Sequence, residues 1–495
     1  MTADAFIQTA HDSSDRLRIA VIGGGFTGLA LIIHAIRATE HAADEAPGSG
    51  NRAKTARRLQ FDLIERSAEI GRGVAYSTRD PLHRINVPSD RMSPFADDLT
   101  HATRWLVAQG LLTAGDTDAN GDHYVAREHY GAYIAATLRD TVAAAGERVQ
   151  FTHWRASAVA IRAAGTVHEV VLDTGHRLQA DRVALCIGHA EPGLPCKVAD
   201  VTLRDPGLIA NPWAPDAFER IPRDASVLVV GTGLTMADCA VSLLARGHRG
   251  PITAISRRGL LAQPHGIFSS AADFLGDAQP PSTARALLRM LRERIARDAP
   301  LYGWHPAVDA LRFDLGRIWP ALPAREQRRV VKRLLPFWDV HRFRVAPQVH
   351  DALRQAIEAG RVVVKTEGIV DIAQSPNGFV VTLRPRHGGL EQRVFDRIVF
   401  CTGPARDVAA NPLVSSLLAA GQARLDGAGM GLDVDTHSQL RDREGRPAQG
   451  LYAWGPITRG SFGEMTGAPD IARHIERVLN DDQSSMLDAV SYTRV

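Results

Sequence analysis

An aliphatic run, Leu17-Arg-Ile-Ala-Val-Ile22, meets three consecutive glycines, Gly23, Gly24 and Gly25, then Phe26-Thr27-Gly28 and a helical stretch from Leu29 to Arg37. Short aliphatic runs of this kind are characteristic of parallel strands buried on both faces. The glycines would weaken a spanning helix, so the apolar stretch from Ile19 to Ile36 reads as strand, turn and helix rather than as a signal or anchor. The same grammar returns in Ser226-Val-Leu-Val-Val230, followed by Gly231, Gly233 and a helical run through Leu244. Each opening leads to a second strand, Leu59 to Ile64 in the first copy and Ile252 to Ile255 in the second. Each copy then alternates in short β-like runs that close on a strand ending at glycine. Residues 151–188 end in Asp181-Arg-Val-Ala-Leu-Cys-Ile-Gly188, and residues 361–403 in Asp396-Arg-Ile-Val-Phe-Cys-Thr-Gly403. Duplication of this form predicts an α/β chain with two Rossmann-like domains and β-meanders.

Three stretches stand outside the repeat. The polar tail through about Asp15 is expected to be disordered, and the Ala/Gly-rich segment 38–56 to be a surface insertion. Residues 262–350 break the pattern with helical segments, such as Thr283 to Arg297, where Leu287, Leu288, Leu291 and Ile295 make one face. Arg328, Arg329, Lys332 and Arg333 there read as solvated surface, with an anion site as the alternative.

The spacing Gly23-x-Gly25-x-x-Gly28 carries chemistry because of where it stands. After a strand and before a helix, the first glycine permits the tight turn, the second lets backbone approach a pyrophosphate, and the third lets helix pack on strand. The helix N-terminus offers unpaired N–H groups to the phosphates. Glu65, at the end of the second strand, can accept hydrogen bonds from a ribose diol; it lies 37 residues past Gly28, a distance that the polar insertion explains. The second copy has Met236 in place of the third glycine, which predicts looser helix packing, and its Asp238 is expected to face solvent or cap a neighbour. Its second strand ends in Ser256-Arg257-Arg258-Gly259, basic rather than acidic. Arginines bind a ribose 2′-phosphate through forked, charge-assisted hydrogen bonds, so NADP(H) is favoured over NAD(H).

Near the C-terminus a strand, Gly450 to Gly455, precedes Gly463-Glu-Met-Thr-Gly467-Ala-Pro469-Asp470 and a helical run to Leu479. Pro469 suits a first helical position and Asp470 complements the dipole. That helix could aim its N-terminus at a flavin pyrimidine and stabilise the charge of the reduced ring. In the helical region, Trp338, Asp339 and His341 form a polar-aromatic cluster that reads more readily as a satisfied buried histidine than as a site.

With 495 residues, 45% of them hydrophobic and 23% charged, the chain can bury the cores of two or three domains. A net charge of +3 provides no global field toward nucleic acid or an anionic membrane. Cys186, Cys196, Cys239 and Cys401 form neither a CxxC pair nor a Cys/His cluster, which disfavours a redox disulfide and a structural metal. Cys186 and Cys401 read as small hydrophobes inside strands, and a reducing, cytoplasmic setting fits.

The glycine fingerprint, Glu65-Arg66 followed by Gly71-Arg-Gly73, the two strand-then-glycine closures and the terminal glycine-helix motif resemble the two-dinucleotide-binding-domain flavoproteins. These include the flavin-containing and N-hydroxylating monooxygenases. Within that superfamily, Gly71-Arg-Gly-Val-Ala-Tyr-Ser-Thr78, Asn86-Val-Pro88, Arg91-Met-Ser93, Phe95-Ala-Asp97, Trp338-Asp-Val-His341 and Gly455-Pro456 resemble a bacterial family of largely uncharacterised FAD/NAD(P)-binding proteins, along nearly the whole chain. The resemblance implies that Gly23, Gly25, Gly28 and Glu65 hold the FAD adenosine, that Gly231, Gly233, Arg257 and Arg258 hold NAD(P)H, and that Gly455, Thr466 and Gly467 lie against the flavin. Gly24, Phe26, Thr27, Arg66, Asn86, Met92, Gly188, Leu234, Thr235, Ser256 and Gly403 complete the expected cofactor contacts. Many relatives have Gly-Asp where this chain has Gly455-Pro456, so backbone contacts from Gly455 are expected to serve instead.

The division that follows is a discontinuous FAD domain, residues 1–220 and 391–495, with an NAD(P) domain at 221–390 that carries the helical insertion at about 262–350. The implied reaction is hydride transfer from NADPH to FAD, then oxygen activation as a C4a-(hydro)peroxide that hydroxylates a small substrate such as an amine. A reductase passing electrons to another acceptor, and a sensor that keeps FAD without turnover, stay open as alternatives.

Overall fold

The structure, a computed structural model, describes residues 16–44, 58–189, 192–214, 216–266, 273–405 and 407–488, without the side chains of 41–44. The tail through Asp15 and positions 45–56 of the expected polar insertion lie outside the described residues. The chain opens with β1 (Arg16–Ile22), α1 (Phe26–Asp44) and β2 (Arg58–Ile64). Residues 38–44 thus continue the helix rather than begin an insertion, as their alanines and Glu40 favour. Helices α2 (His101–Ala108) and α3 (Arg127–Ala145) precede β3 (Val149–Trp154), the meander of β4 (Ala158–Ala164), β5 (Val167–Leu172) and β6 (Arg177–Ala180), and then β7 (Arg182–Leu185).

The second unit is entered through α4 (Asp200–Leu203) and β8 (Leu208–Ile209) and continues with β9 (Val227–Val230), α5 (Leu234–Ala245) and β10 (Ile252–Ser256). Five helices follow: α6 (Ala284–Tyr302), α7 (His305–Phe313), α8 (Leu315–Ala321), α9 (Ala324–Arg333) and α10 (Leu335–Arg342). The Thr283 hydroxyl accepts from Ala286 N at 3.1 Å and caps α6. Helix α11 (Pro347–Glu358) returns the chain to β11 (Val362–Ser375), β12 (Gly378–Pro385), β13 (Glu391–Phe395) and β14 (Arg397–Phe400). The chain closes with α12 (Pro412–Ala419), β15 (Gln439–Arg441), β16 (Pro447–Ala453), α13 (Arg459–Phe462) and α14 (Ala468–Leu479).

Two large sheets result, ordered β15-β16-β7-β1-β2-β3 and β13-β12-β11-β10-β9-β14-β8. In both, the strand before the glycine turn lies between the second strand and the strand that closes on glycine, and all these pairings are parallel. The first sheet is discontinuous, because β15 and β16 return from the far end of the chain to pair beside β7. Burial explains the unbroken aliphatic runs. Leu17, Ile19 and Val21 pack on one face of β1 and Ala20 and Ile22 on the other, while Val227 and Val229 oppose Leu228 and Val230 on β9.

Two readings of the sequence need correction. The first meander begins at Ala158, not 151, because β3 pairs in parallel with β2 as a third strand of the main sheet. The expected edges at 220 and 391 also fall inside the second sheet, since β8 pairs with β14 and β13 with β12. Strand β11 serves two purposes. Its first residues pair in parallel with β10, and past an irregularity between Ile369 and Asp371 the same strand starts the second meander against β12.

Candidate functional site

The two turns are built alike. Gly23 has φ +108°, and a Cβ there would stand 2.3 Å from the Cys186 carbonyl oxygen; Gly231 has φ +118°, and a Cβ there would stand 2.1 Å from that of Cys401. Both positions therefore admit only glycine, each seated on the carbonyl of the cysteine that closes the neighbouring strand. Gly28 is equally constrained, with a Cβ only 2.1 Å from the Gly23 carbonyl oxygen. Gly25 differs. A Cβ there would meet nothing nearer than Gly73 Cα at 3.4 Å, so the protein leaves room above it. The loop at Gly71–Gly73 borders that room, with Gly71 N donating to the Gly24 carbonyl at 2.7 Å. Glu65 stands where the sequence predicts: Gly24 N donates to its Oε2 and Ser67 N to its Oε1, both at 2.9 Å. Phe26 and Thr27 are buried at the start of α1, and Gly455 closes on Thr27, where a Cβ would lie 2.6 Å from Oγ1.

Open glycine, an acid at the strand end and a helix N-terminus together fit an adenosine diphosphate moiety. At Gly188 and Gly403, with φ of +71° and +72°, a Cβ would likewise meet no atom within 4 Å, which leaves the ends of β7 and β14 open to a ligand. Arg66 is exposed. Asn86 accepts through its carbonyl from His265 Nε2 at 3.0 Å, which ties the loop to the helical insertion. Met92 is 3% exposed and packed in the first core, its carbonyl accepting from the Tyr130 hydroxyl at 2.6 Å; its side chain has a packing role.

At the second turn Gly233 is exposed with no atom within 4 Å of a Cβ, and Leu234 and Thr235 flank it at the start of α5. Met236 is fully buried in the second core. The Ser256 hydroxyl is engaged internally, bonded to Thr232 Oγ1 at 2.8 Å and accepting from Gly259 N at 2.9 Å, so Ser256 shapes the turn. Arg257 and Arg258 are exposed. The Arg258 guanidinium sits 5.7 Å from the Phe337 ring centre, while Arg257 has no ion-pair partner among the described residues.

The terminal motif meets the insertion through buried charge. Arg342 of α10 lies within 3.0 Å of Asp470 Oδ2 and 3.3 Å of Glu464 Oε2, and Arg312 of α7 also pairs with Asp470. Thr466 donates its hydroxyl to Glu464. A Cβ at Gly467 would stand 2.9 Å from Arg342 Nη2, so this glycine admits the arginine. Asp470, expected in the first turn of this helix, thus stands at the N-terminus of α14 with the guanidiniums of Arg312 and Arg342 against it. Arg459 Nη2 lies 3.0 Å from Asp339 Oδ1, whose side chain is 34% exposed. Burial nevertheless raises the Asp339 carboxyl, against the attraction of Arg459. His189, accessible to solvent and next after Gly188, is pushed down to about 4 by desolvation, with Arg459 adding to the effect and Glu464 opposing it. His341, by contrast, bonds the Phe337 carbonyl of its own helix at 2.7 Å, and Trp338 packs on the insertion's core.

Asp238 corrects another expectation: it is 5% exposed and pairs at 2.8 Å with Arg127, at the start of α3 in the first unit. The same seam holds Thr78 Oγ1 to His83 Nδ1 at 2.7 Å and His83 Nε2 to Ser242 Oγ at 2.9 Å. Burial pushes the Asp238 carboxyl up to about 6, outweighing Arg127. A folded-state pKa above the unfolded value means that ionisation opposes folding, so this contribution is greatest below about pH 4 and is lost as pH rises through about 6. Asp238→Asn cannot titrate. The stability of the wild type relative to this variant should therefore fall between about pH 4.5 and 7, as read from urea midpoints.

The four cysteines are free, and Cys239 and Cys401 lie with their sulfurs 3.6 Å apart in the second core. Among the described residues there is no His/Cys/Asp/Glu group that could hold a metal, and no helix long and apolar enough to cross a membrane.

Residues 20–190 match a protein-family model described as FAD-NAD(P)-binding. No match was found among curated proteins. Among solved structures, the fold is similar to that of L-lysine 6-monooxygenase from Pseudomonas syringae, at 17% identity and a TM-score of 0.60 over 94% of this chain and 98% of that one. It is also similar to an ornithine N-hydroxylase from Kutzneria sp. 744, solved with reduced FAD, NADP+ and L-ornithine, at 17% identity and 0.57 over 94% and 98%. A bacillithiol disulfide reductase from Staphylococcus aureus follows at 10% identity and 0.55 over 94% and 97%. At these identities the likeness is one of fold. Residues 20–190 thus match the FAD-NAD(P)-binding family model, and the chain as a whole shares the fold of the L-lysine 6-monooxygenase and the ornithine N-hydroxylase.

Proposed function

We propose that the protein is an FAD-dependent, NAD(P)H-consuming oxidoreductase, and within that class a monooxygenase of a small, amine-bearing substrate. The observation that carries the reading is the pair of matched turns, Gly23 on Cys186 and Gly231 on Cys401, one beside the acid Glu65 and the other beside the bases Arg257 and Arg258. When bound, the flavin would accept a hydride from the nicotinamide and deliver electrons onward to oxygen. The chain's own part is to cradle the two diphosphates on backbone and to orient the ribose through Glu65.

NADPH oxidation in air by the purified protein, with and without candidate amines, tests the reading. Amine-stimulated turnover that yields an oxygenated amine supports it; turnover that yields only hydrogen peroxide or reduces an added acceptor would replace it with a reductase. At the second turn, Arg257→Ala combined with Arg258→Ala should weaken NADPH binding by roughly ten- to a hundred-fold, the cost of one charge-assisted contact or more, and leave NADH nearly unchanged. Equal loss of both nicotinamides would make these arginines structural.

A further inference from the structure

At the end of α5 remote from Gly233, about 18 Å away at 1.5 Å per residue, a cavity of about 360 Å³ lies between that helix and the loop before β9. The loop is fixed to the turn after α5, since Arg249 N and Gly250 N donate to the Arg223 carbonyl at 2.6 and 3.0 Å. The buried part of the lining is Phe218, Ile221, Leu243 and His248; the exposed part is Glu219, Arg223 and Arg246. An apolar interior under a charged edge suits a small molecule with an apolar body and one charged end.

His248 separates this cavity from an ordinary surface hollow. It is 3% exposed, and neither ring nitrogen has a hydrogen-bond partner among the described residues. Burial lowers its pKa, with the Pro222 and Ala225 carbonyls opposing from outside hydrogen-bond geometry, so the ring is neutral near pH 7 and offers one donor and one acceptor. A buried polar group without a partner is costly, and a ligand that supplies the partner recovers that cost. At the edge, Arg223 lies against Gly247, where a Cβ would stand 3.9 Å from its guanidinium, and it has no ion-pair partner among the described residues. Arg246 stands 6.0 Å from the Phe218 ring centre and reaches Asp80 by a single contact of 3.5 Å; its side chain is 45% exposed, so it can take a second partner. Glu219 repels added negative charge, which favours a monoanion over a phosphate dianion.

We infer that this cavity binds a small organic carboxylate, with its charge on Arg223 and Arg246, its apolar body against Phe218, Ile221 and Leu243, and a hydroxyl at its inner end on His248. The site stands apart from both glycine turns, and its existence does not depend on the dinucleotide reading. The probes are 3-(4-hydroxyphenyl)propionate, 3-phenylpropionate and 3-(4-hydroxyphenyl)propionamide, titrated calorimetrically into the intact protein and into Arg223→Ala and His248→Leu, each checked for an unchanged melting temperature. The hydroxy acid should bind about ten-fold more tightly than 3-phenylpropionate, and the neutral amide at least about ten-fold more weakly than the hydroxy acid. Arg223→Ala should weaken both acids by about ten-fold, and His248→Leu should erase the difference between them. Arg223 is exposed, so its variant decides the matter even if His248→Leu proves unstable. Binding of the hydroxy acid that Arg223→Ala leaves unchanged would seat it elsewhere and overturn the inference. An amide that binds as well as the acid, or wild-type protein that binds neither acid, would overturn it equally.

Discussion

Asp238→Ala is expected to destabilise the protein by about 3–5 kcal/mol, the usual cost of removing one partner from a buried ion pair. Arg127 has no second carboxylate among its ion pairs, its remaining partner being the Arg84 carbonyl, which accepts from its Nε at 2.9 Å. Its guanidinium is 13% exposed, lies 2.8 Å from Asp238 and is set 5.2 Å from the Trp213 ring centre, so without the carboxylate a positive charge stays buried and unpaired. Replacing both partners at once with apolar residues, Arg127→Met and Asp238→Leu, should restore most of the loss, because neither orphaned charge then remains. Thermal melts of the three variants decide the matter: a double variant as weak as Asp238→Ala would show that the seam depends on something other than this charge pair.

Gly25→Leu is expected to yield folded protein that holds no FAD, whereas Gly28→Ala is expected to compromise folding itself. The difference lies in what each side chain would meet. At Gly25 the nearest protein atom to a Cβ is 3.4 Å away, so the new side chain enters the space reserved for the diphosphate; at Gly28 even a methyl would stand 2.1 Å from the Gly23 carbonyl. Far-ultraviolet circular dichroism together with flavin content separates the two outcomes. A yellow Gly25→Leu protein would place the diphosphate elsewhere.

The repeated aliphatic strand, glycine turn and closing glycine are legible in the sequence because each leaves a mark on single residues: hydrophobic on both faces of β1 and β9, and no side chain at Gly23 and Gly231. What the sequence hides is decided by distant partners. That Asp238 faces Arg127 depends on how α5 meets α3, and no local spacing records it. The same holds for Arg342, which enters the terminal motif beside Gly467, and for Arg459 of α13, which pairs with Asp339 of α10. Strand β3 reads as meander because a parallel strand at the edge of a sheet is half-exposed and alternates like a hairpin. Residues 391–400 read as part of the first unit because β14 abuts the chain's return to it, and only pairing with β9 settles the strand's place.

Whether two matched turns bind two dinucleotides, with electrons passing between them, is decided by anaerobic mixing of the purified protein with NADPH while the flavin absorbance is followed. The expected result is yellow protein that releases FAD on denaturation and bleaches on mixing with NADPH, more efficiently than with NADH. Colourless protein that takes up no FAD, or bound flavin that neither nicotinamide bleaches, would contradict it.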